Sequence, residues 1–281
     1  MWTSTTSGDG WQVAFNGEGR LTSLQYGGQE MIHDGQGLQF TGYRSINNDW
    51  RKSEMKLEGV SKNIRNSAKG YGSASAAREW NDTLFVTTTQ KATQEKTEVP
   101  VEINYIVTAG GRVEVKASFG NEHNRDFSRL GLQVSLSKAL ENVEWLGRGP
   151  MENYPDRLDA ARLGRWQRSV TDMEEEYIRP QSMGERCDVR WLSLTDGHGR
   201  GIVIRNVDGW LGFSAQHYTD EDLWKVKFRH ELGQVRRSEV VLHLDAAMRG
   251  IGNGSCGPGP LDKYQLREPS YQYGLVIERN K

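Results

Sequence analysis

Cysteine is scarce in this sequence, and its scarcity excludes two classes of protein. Cys187 and Cys256 are the only cysteines among 281 residues. Two cysteines do not complete a zinc site by themselves, and they do not form the disulfide framework of a small secreted domain. No two histidines have the spacing of metal ligands, so we expect no metal and no cofactor in this chain.

Long apolar runs and an excess of one charge are also absent. No apolar run approaches the roughly 18 residues of a membrane span, and the start, MWTSTTSGDG, lacks the basic and apolar regions of a signal peptide. The chain has 36 basic and 37 acidic residues, so it has no basic footprint for nucleic acid. We therefore expect a soluble chain without nucleic-acid or membrane partners, and its compartment, cytoplasmic or periplasmic, stays open.

Helical patterns are nearly missing as well. The segment HYTDEDLW is the one candidate, with Thr219 as N-cap and Asp222 in the capping-box position. Strands and helices do not alternate along the chain, which excludes barrels built from βα units and dinucleotide-binding folds.

What the sequence has in quantity is alternation of apolar and polar residues with a period of two. The alternation falls in six segments: Val99 to Val107, Val113 to Phe119, Leu130 to Leu136, Trp224 to Phe228, Val240 to Leu244 and Tyr271 to Ile277. This pattern predicts half-buried strands in antiparallel sheets. Less regular strands are expected in WQVAF, RLTSLQY, MKLEGV, TLFVTTT, VRWLSL, GIVIRN and WLGFSA. So many strands without helices require two large sheets face to face, and we predict one all-β antiparallel sandwich over residues 1–281.

One long segment interrupts the alternation. Residues 147–188 are rich in Gly, Pro, Asp, Arg and Glu, and long irregular segments of compact domains tend to be functional or interfacial. Within it, Glu152, Asn153 and Asp156 either bind a sugar or satisfy the loop backbone and bind a neighbouring domain. The acidic run DMEEEY is typical of a solvated face. Glycosidic cleavage needs two facing carboxylates, a geometry that sequence spacing in a sandwich does not show.

A second irregular segment, GIGNGSCGPGP at residues 250–260, is called the Gly-rich loop below. It does not match a phosphate-binding P-loop, because no Lys-Ser or Lys-Thr follows and no helix begins there. A nucleophilic Cys256 would need a base, normally a histidine, within hydrogen-bond reach, and none of the six histidines lies in a recognisable partner motif. The glycines are most simply explained by tight bends of the backbone.

The segment WLGRGPMENYPDR, residues 145–157 and called the signature segment below, carries a resemblance to a known family. It closely resembles the W-x-G-x-G-P-x-E-N-Y-x-D-R motif in the C-terminal domain of bacterial β-galactosidases of glycoside hydrolase family 2. The stretches FNGEGRLTSLQYGG, LQFTGYRSINND and RPQSMGERCDVRWLSL resemble other parts of that domain, and MRGIGNGSCGPGP falls on its Gly-rich loop. The resemblance covers essentially the whole chain.

This resemblance implies a very large antiparallel β-sandwich, a supersandwich related in shape to galactose mutarotases. It also implies that the two catalytic glutamates lie on a separate (β/α)8 barrel, so no catalytic residue is expected in this chain. As a C-terminal domain or small subunit, the chain would support that barrel and shape the entrance to a galactoside site. The signature residues would have a structural or domain-interface role: Glu152, Asn153, Tyr154, Asp156 and Arg157.

The Gly-rich loop has a specific role in the best-known family members, where it places a tryptophan at the rim of the sugar site. The matching residue here is Cys256, between Ser255 and Gly257. A thiol offers far less contact area than an indole, so we expect this substrate-entrance loop to grip the aglycone less strongly.

An alternative hypothesis is a free-standing mutarotase-like enzyme or a glycan-binding module. A mutarotase needs a general acid and a general base around a free sugar, usually a histidine with a carboxylate. His217 and His230 are candidates by residue type alone, since no mutarotase motif surrounds them.

Overall fold

The computed structural model describes residues 4–46, 57–65, 83–94, 97–121, 127–253 and 257–280. These ranges contain seventeen strands, and their pairing is antiparallel throughout, which confirms the predicted all-β class. The strands are β1 Ser4–Gly8, β2 Trp11–Phe15, β3 Leu21–Tyr26, β4 Gln29–Glu30, β5 Gln39–Thr41, β6 Leu57–Arg65, β7 Leu84–Gln94, β8 Thr97–Thr108, β9 Arg112–Gly120, β10 Arg129–Leu136, β11 Asn142–Gly149, β12 Arg162–Ser169, β13 Trp191–Thr195, β14 Gly201–Asp208, β15 Gly212–Gln216, β16 Val240–Met248 and β17 Ser270–Arg279.

The strands form three sheets, whereas the sequence predicted two. A nine-stranded sheet has the order β12-β11-β13-β14-β17-β9-β8-β7-β6, and a four-stranded sheet has the order β15-β16-β10-β5. The third sheet is the N-terminal meander β1-β2-β3-β4. Its strands are short and joined by tight turns with glycines at positive φ, such as Gly10 and Gly27, so each strand pairs with its neighbour in sequence.

The nine-stranded sheet and the sheet containing β16 pack face to face around a continuous apolar core. The ring of Phe40 on β5 lies 5.7 Å from that of Phe119 on β9. The hydroxyl of Tyr273 on β17 donates a hydrogen bond of 2.9 Å to the carbonyl of Leu244 on β16. These contacts join the two sheets at their centres, as a sandwich requires.

The N-terminal sheet closes one end of the same core. Phe15 on β2 meets Tyr105 on β8 edge to face, with 5.1 Å between ring centroids. The Tyr26 hydroxyl donates to the carbonyl of Gly111, at the turn between β8 and β9, over 2.6 Å. The apolar residues of this sheet therefore belong to the main core and not to a separate one.

Strand β16 differs from its prediction in one respect. Alternation of Val240, Leu242 and Leu244 predicted a half-buried strand, but every residue of β16 is buried. The face that carries His243 and Asp245 is covered by charged side chains from other elements, described below. Two covered faces, rather than one, explain why no residue of this strand reaches solvent.

The predicted strand around Trp224, Val226 and Phe228 is wrong. Trp224 lies in a short helix, α1 Asp220–Lys225, and Phe228 is exposed. The predicted cap is confirmed and explains the result: the Thr219 hydroxyl accepts from the Asp222 amide, and the Asp222 carboxylate accepts from the Thr219 amide. A second short helix, α2 Leu232–Val235, follows.

The segment 147–188 is irregular only in part. Its residues 162–169 form β12, the edge strand of the nine-stranded sheet, which pairs with β11. Most side chains of β12 are exposed, so it lacks the apolar alternation that marks inner strands. Within the described ranges, no helix is long and apolar enough to span a bilayer.

Candidate functional site

The signature segment begins in β11 and continues into the loop that leads towards β12. Two of its glycines permit close packing: a Cβ on Gly147 would lie 3.0 Å from a Val189 methyl, and one on Gly149 would lie 2.8 Å from the Trp166 ring. The Trp145 indole lies close to both glycines, is fully buried and donates a hydrogen bond of 3.0 Å to the carbonyl of Arg148. The first half of the segment is thus fixed by core packing.

Glu152 ties the signature segment to the stretch before β13. Its carboxylate accepts a 2.8 Å hydrogen bond from the Gly184 amide, a 3.4 Å bond from the Tyr154 hydroxyl and a further bond from the Tyr177 hydroxyl. Burial, with Glu152 close by, raises the pKa of both tyrosines, so both hydroxyls stay protonated as donors. The carboxylate is therefore occupied by protein donors.

Asn153 is almost fully buried and makes bonds through both its backbone and its side chain. Its amide donates to the Glu185 carbonyl over 2.8 Å, and its Oδ1 accepts from the Cys187 amide over 2.9 Å. The next residue, Tyr154, is also buried and lies under the Arg44 guanidinium, which is 5.1 Å from the ring centroid. These two signature residues contact other protein groups and not solvent.

Asp156 and Arg157 reach the Gly-rich loop, almost a hundred positions further along the chain. The two carboxylate oxygens of Asp156 accept from the amides of Ile251 (3.0 Å) and Gly252 (2.7 Å). Arg157 donates to the carbonyl of Gly252 over 2.6 Å and to Oδ1 of Asn253 over 3.3 Å. The structure thus joins two segments that the sequence presents as separate features.

The described part of the Gly-rich loop comprises residues 250–253 and 257–260. The Asn253 amide donates to the Pro258 carbonyl over 2.9 Å and closes the base of the loop. Gly257 is described and exposed, whereas Ser255 and Cys256 lie outside the described residues. The role expected for these three at a substrate entrance therefore stays a prediction.

The two histidines named for a mutarotase-like site have separate surroundings. His217 is buried, with Nδ1 3.0 Å from the Glu239 carbonyl oxygen and Nε2 3.1 Å from a carboxylate oxygen of Glu141. His230 lies in a short 3-10 turn and stacks on the ring of Phe228, with 5.6 Å between centroids. A histidine and a carboxylate do meet at His217, but both ring nitrogens face protein acceptors.

A cluster of buried charges, which the sequence did not predict, lies on the outer face of β16. It is called the buried ionic cluster and consists of Arg129, Glu185, Asp220, His243 and Asp245. The Arg129 guanidinium lies 2.8 Å from Asp220, 3.1 Å from Asp245 and 3.8 Å from Glu185, and its Nη1 is 3.0 Å from His243 Nδ1. All five side chains are at least nine-tenths buried. In the sequence, this cluster is indicated only by Asp245, a charged residue inside the apolar run of β16.

Two glycines make room for this cluster. Gly131 on β10 and Gly212 on β15 both pair with Asp245, one on each side of it. A Cβ on Gly131 would lie 2.6 Å from Asp245 Oδ1, and one on Gly212 would overlap Glu185 Oε1. Across three adjacent strands, glycine, aspartate and glycine form the slot that the carboxyl groups occupy.

The charges of the cluster are set by burial. Burial and the Asp245 charge raise the pKa of Glu185 well above its usual value, and burial raises the pKa of Asp245 to about 6. Both carboxyl groups lie next to the same Arg129 guanidinium, so they titrate as a pair. Burial and the adjacent Arg129 charge lower the pKa of His243 to about 3, so its imidazole is neutral. The cluster is enclosed in this conformation, and its groups face one another rather than a substrate.

Cys187 lies in surroundings that disfavour a reactive thiolate. Cys187 is buried, its Sγ donates to the Asn153 carbonyl, and burial raises the pKa of its thiol. Over the part of the chain that the structure describes, no group of three or more histidine, cysteine, aspartate or glutamate side chains is arranged to hold a metal ion.

Solved structures of similar shape align with nearly the whole chain at low sequence identity. An aldose epimerase homologue from C. elegans aligns over 99% of this chain and 98% of its own, with 10% identity and a TM-score of 0.48. A galactose 1-epimerase from Lactobacillus acidophilus aligns over the same shares, with 8% identity and a TM-score of 0.47.

Curated relatives are closer in sequence and much longer. A β-galactosidase of Vibrio cholerae serotype O1 is 37% identical over 150 residues, which cover 53% of this chain and 14% of that protein. A β-galactosidase of Arthrobacter sp. (strain B7) is 30% identical over 191 residues, which cover 66% of this chain and 18% of that protein. The chain thus matches less than a fifth of the length of either relative.

The family comparison covers the chain almost from end to end. The profile of the family described as "Beta galactosidase small chain" matches residues 7–277, which include both the signature segment and the Gly-rich loop. The chain therefore belongs to the β-galactosidase small-chain family.

Proposed function

We propose that this chain is the non-catalytic C-terminal domain or small subunit of a β-galactosidase. In this role it supports a separate catalytic barrel and shapes the entrance through which terminal β-galactosides reach the active site. The observation that carries the proposal is the direct link between the signature segment and the Gly-rich loop through Asp156 and Arg157. A segment whose polar groups are engaged in holding another loop is suited to support rather than to bond cleavage.

The disposition of carboxyl groups supports a catalytic centre elsewhere. Retaining hydrolysis requires two carboxyl groups about 5 Å apart that face a sugar between them. The buried carboxyl groups of Glu185 and Asp245 lie 3.8 and 3.1 Å from the Arg129 guanidinium and face it rather than a sugar site. Glu152 accepts from three protein donors, so it is not free to protonate a leaving group.

The partner in this proposal is the remainder of the β-galactosidase, in the same or another chain. The relatives' far greater length supports this, because over four-fifths of each lies outside the matched part. Met151, within the signature segment, and Leu261, directly after the Gly-rich loop, are apolar side chains that are more than half exposed. The galactoside would bind at the shared site, next to Ser255, Cys256 and Gly257.

The test compares the chain alone with the chain combined with its catalytic portion. We expect purified chain to leave an aryl galactoside intact, and the combination to hydrolyse it faster than the catalytic portion alone. Turnover by the chain alone that disappears on substitution of one of its acidic residues would contradict the proposal. Acceleration of α-to-β galactose interconversion by the chain alone, measured by polarimetry, would favour the mutarotase-like alternative.

A further inference from the structure

The stem of the Gly-rich loop is held from outside by a single carboxylate. Both oxygens of Asp156 are used, one on the amide of Ile251 and one on that of Gly252, at 3.0 and 2.7 Å. Hydrogen bonds from backbone amides to an ionised carboxylate are stronger than those between neutral groups. Arg157 donates a hydrogen bond of 2.6 Å to the carbonyl of Gly252. The amide of Gly252 is therefore bound by Asp156, and its carbonyl is bound by the next residue, Arg157.

The loop depends on such an anchor because of its composition. Glycine has the greatest backbone freedom of any residue, and five glycines lie between residues 250 and 260. Among the described residues of the loop, the Asn253 amide donates to the Pro258 carbonyl within the loop, and the Gly250 amide donates to the Tyr264 carbonyl beyond it.

The packing around Gly250 shows that the anchor and the loop fit each other closely. A Cβ on Gly250 would lie 2.7 Å from the Asp156 carboxyl carbon, and one on Gly252 would lie 2.5 Å from the Pro260 nitrogen. Gly252 also has a positive φ of 59°, which other residues adopt rarely. Glycine is therefore required at positions 250 and 252. At Gly250 the reason is that the Asp156 carboxylate occupies the space that a side chain would need.

We propose that Asp156 and Arg157 are positioning residues, which fix the described stem of the Gly-rich loop at residues 250–253 and so set the affinity of the assembled enzyme for its galactoside. This inference deepens the proposed function, and its statement about galactoside affinity depends on that function. Neither residue touches substrate. They act through the backbone of residues 251–253, and their effect is on substrate binding rather than on the chemical step.

The first experiment measures the anchor directly in the 281-residue chain. Amide hydrogen exchange at residue resolution is compared for wild type, Asp156→Ala and Asp156→Asn, with Asp159→Ala as the matched control at an exposed aspartate of the same loop. We expect exchange at Ile251 and Gly252 to become about tenfold faster in Asp156→Ala and to show a smaller change in Asp156→Asn, which keeps one acceptor oxygen. Unchanged exchange at these two amides in Asp156→Ala would overturn the inference.

The second experiment measures the consequence in the assembled enzyme. We expect Asp156→Ala to raise KM for an aryl galactoside by about three- to tenfold and to leave kcat within about twofold, with Asp156→Asn between it and wild type. Arg157→Lys, which keeps one donor, should raise KM less than Arg157→Ala. A variant that merely unfolds in part would lose active molecules, which lowers apparent kcat and leaves KM unchanged.

The two experiments separate the inference from the proposed function on which it depends. Faster exchange with a raised KM supports both. Faster exchange with an unchanged KM shows that the anchor exists but that the loop does not serve the substrate site, which contradicts the proposed entrance role. A fall in kcat without a change in KM, rescued by a stabilising condition such as lower temperature, overturns the positioning role.

Discussion

Replacement of Glu185 by glutamine removes one ionisable group from the buried ionic cluster and keeps the shape of the side chain. In wild type, burial and the Asp245 charge raise the pKa of the Glu185 carboxyl and so favour its protonated form. Glutamine has the shape of a protonated glutamate, and its carbonyl oxygen can still face the Arg129 guanidinium. Glu185→Gln should therefore fold normally and differ from wild type mainly in how its stability depends on pH.

The magnitude follows from proton linkage. Glu185 has an ordinary pKa of 4.5, and burial followed by the Asp245 charge raises its pKa well above that in the fold. Above pH 4.5 the unfolded chain loses this proton while the folded chain keeps it. A group with a raised pKa contributes stability at low pH, and that contribution is lost as the pH rises. Over the pH range in which the folded chain keeps this proton and the unfolded chain has lost it, each pH unit lowers the free energy of unfolding by about 1.4 kcal/mol.

Glutamine has no proton to hold, so this loss is absent in Glu185→Gln. Relative to wild type, the variant should gain about 1.4 kcal/mol for each pH unit above 4.5 over which the folded wild type keeps the Glu185 proton. For a chain of this size, that gain corresponds to roughly 3 to 6 °C in Tm per pH unit. Asp245, whose pKa is also raised by burial, to about 6, contributes a pH dependence of the same sign.

The assay is urea unfolding followed by tryptophan fluorescence at half-unit steps from pH 4.5 to 7.5, for wild type and Glu185→Gln. Glu221→Gln, at an exposed position in helix α1, is the matched control and should stay within about 0.5 kcal/mol of wild type. A variant that is several kcal/mol less stable than wild type at pH 7, with an unchanged pH slope, would refute the reasoning. That result would mean that Glu185 is ionised in the fold and pairs with Arg129.

Three further predictions test the fold and the loop. Gly212→Ala should lower the free energy of unfolding by about 1–3 kcal/mol, because the added methyl overlaps a Glu185 oxygen, whereas Gly197→Ala, with open space at its Cβ, should be nearly neutral in the same urea assay. The chain should melt in one cooperative step, and two separate calorimetric transitions would contradict a single domain over residues 1–281. Cys256→Ser should change the stability of the chain by less than about 0.5 kcal/mol, and Cys256→Trp should lower KM of the assembled enzyme for galactosides with large aglycones. Loss of all turnover in Cys256→Ser would give the thiol a chemical role.

Much of the strand layout could be predicted from the sequence because it depends on neighbours along the chain. Alternation in residues 99–107, 113–119 and 271–277 marked β8, β9 and β17, which lie side by side in the nine-stranded sheet. The helix cap at Thr219 was also visible, since both partners lie within four residues. Strand β12 was not predicted, because an exposed edge strand needs no apolar face and therefore shows no alternation of apolar residues.

The candidate site could be predicted only in its parts. The signature segment and the Gly-rich loop stood out by composition, but their contact joins Asp156 to residues 95 and 96 positions away. The predicted strand at Trp224 and Phe228 was wrong, although the spacing of the two residues fits a strand. The capping box of α1 satisfies backbone amides at the start of this segment and favours a helix there.

By itself, the sequence determined the class of structure, because a period of two in apolar residues leaves antiparallel sheets with one buried face as the stable arrangement. Tertiary structure alone decided which distant groups meet. Arg129, Glu185 and Asp245 come together because the register of β10, β15 and β16 places two glycines beside one aspartate and opens a slot between the strands. Strands β10, β15 and β16 are far apart in sequence, so which of them pair depends on how their buried faces pack in the whole chain, and the pattern within one strand does not show it.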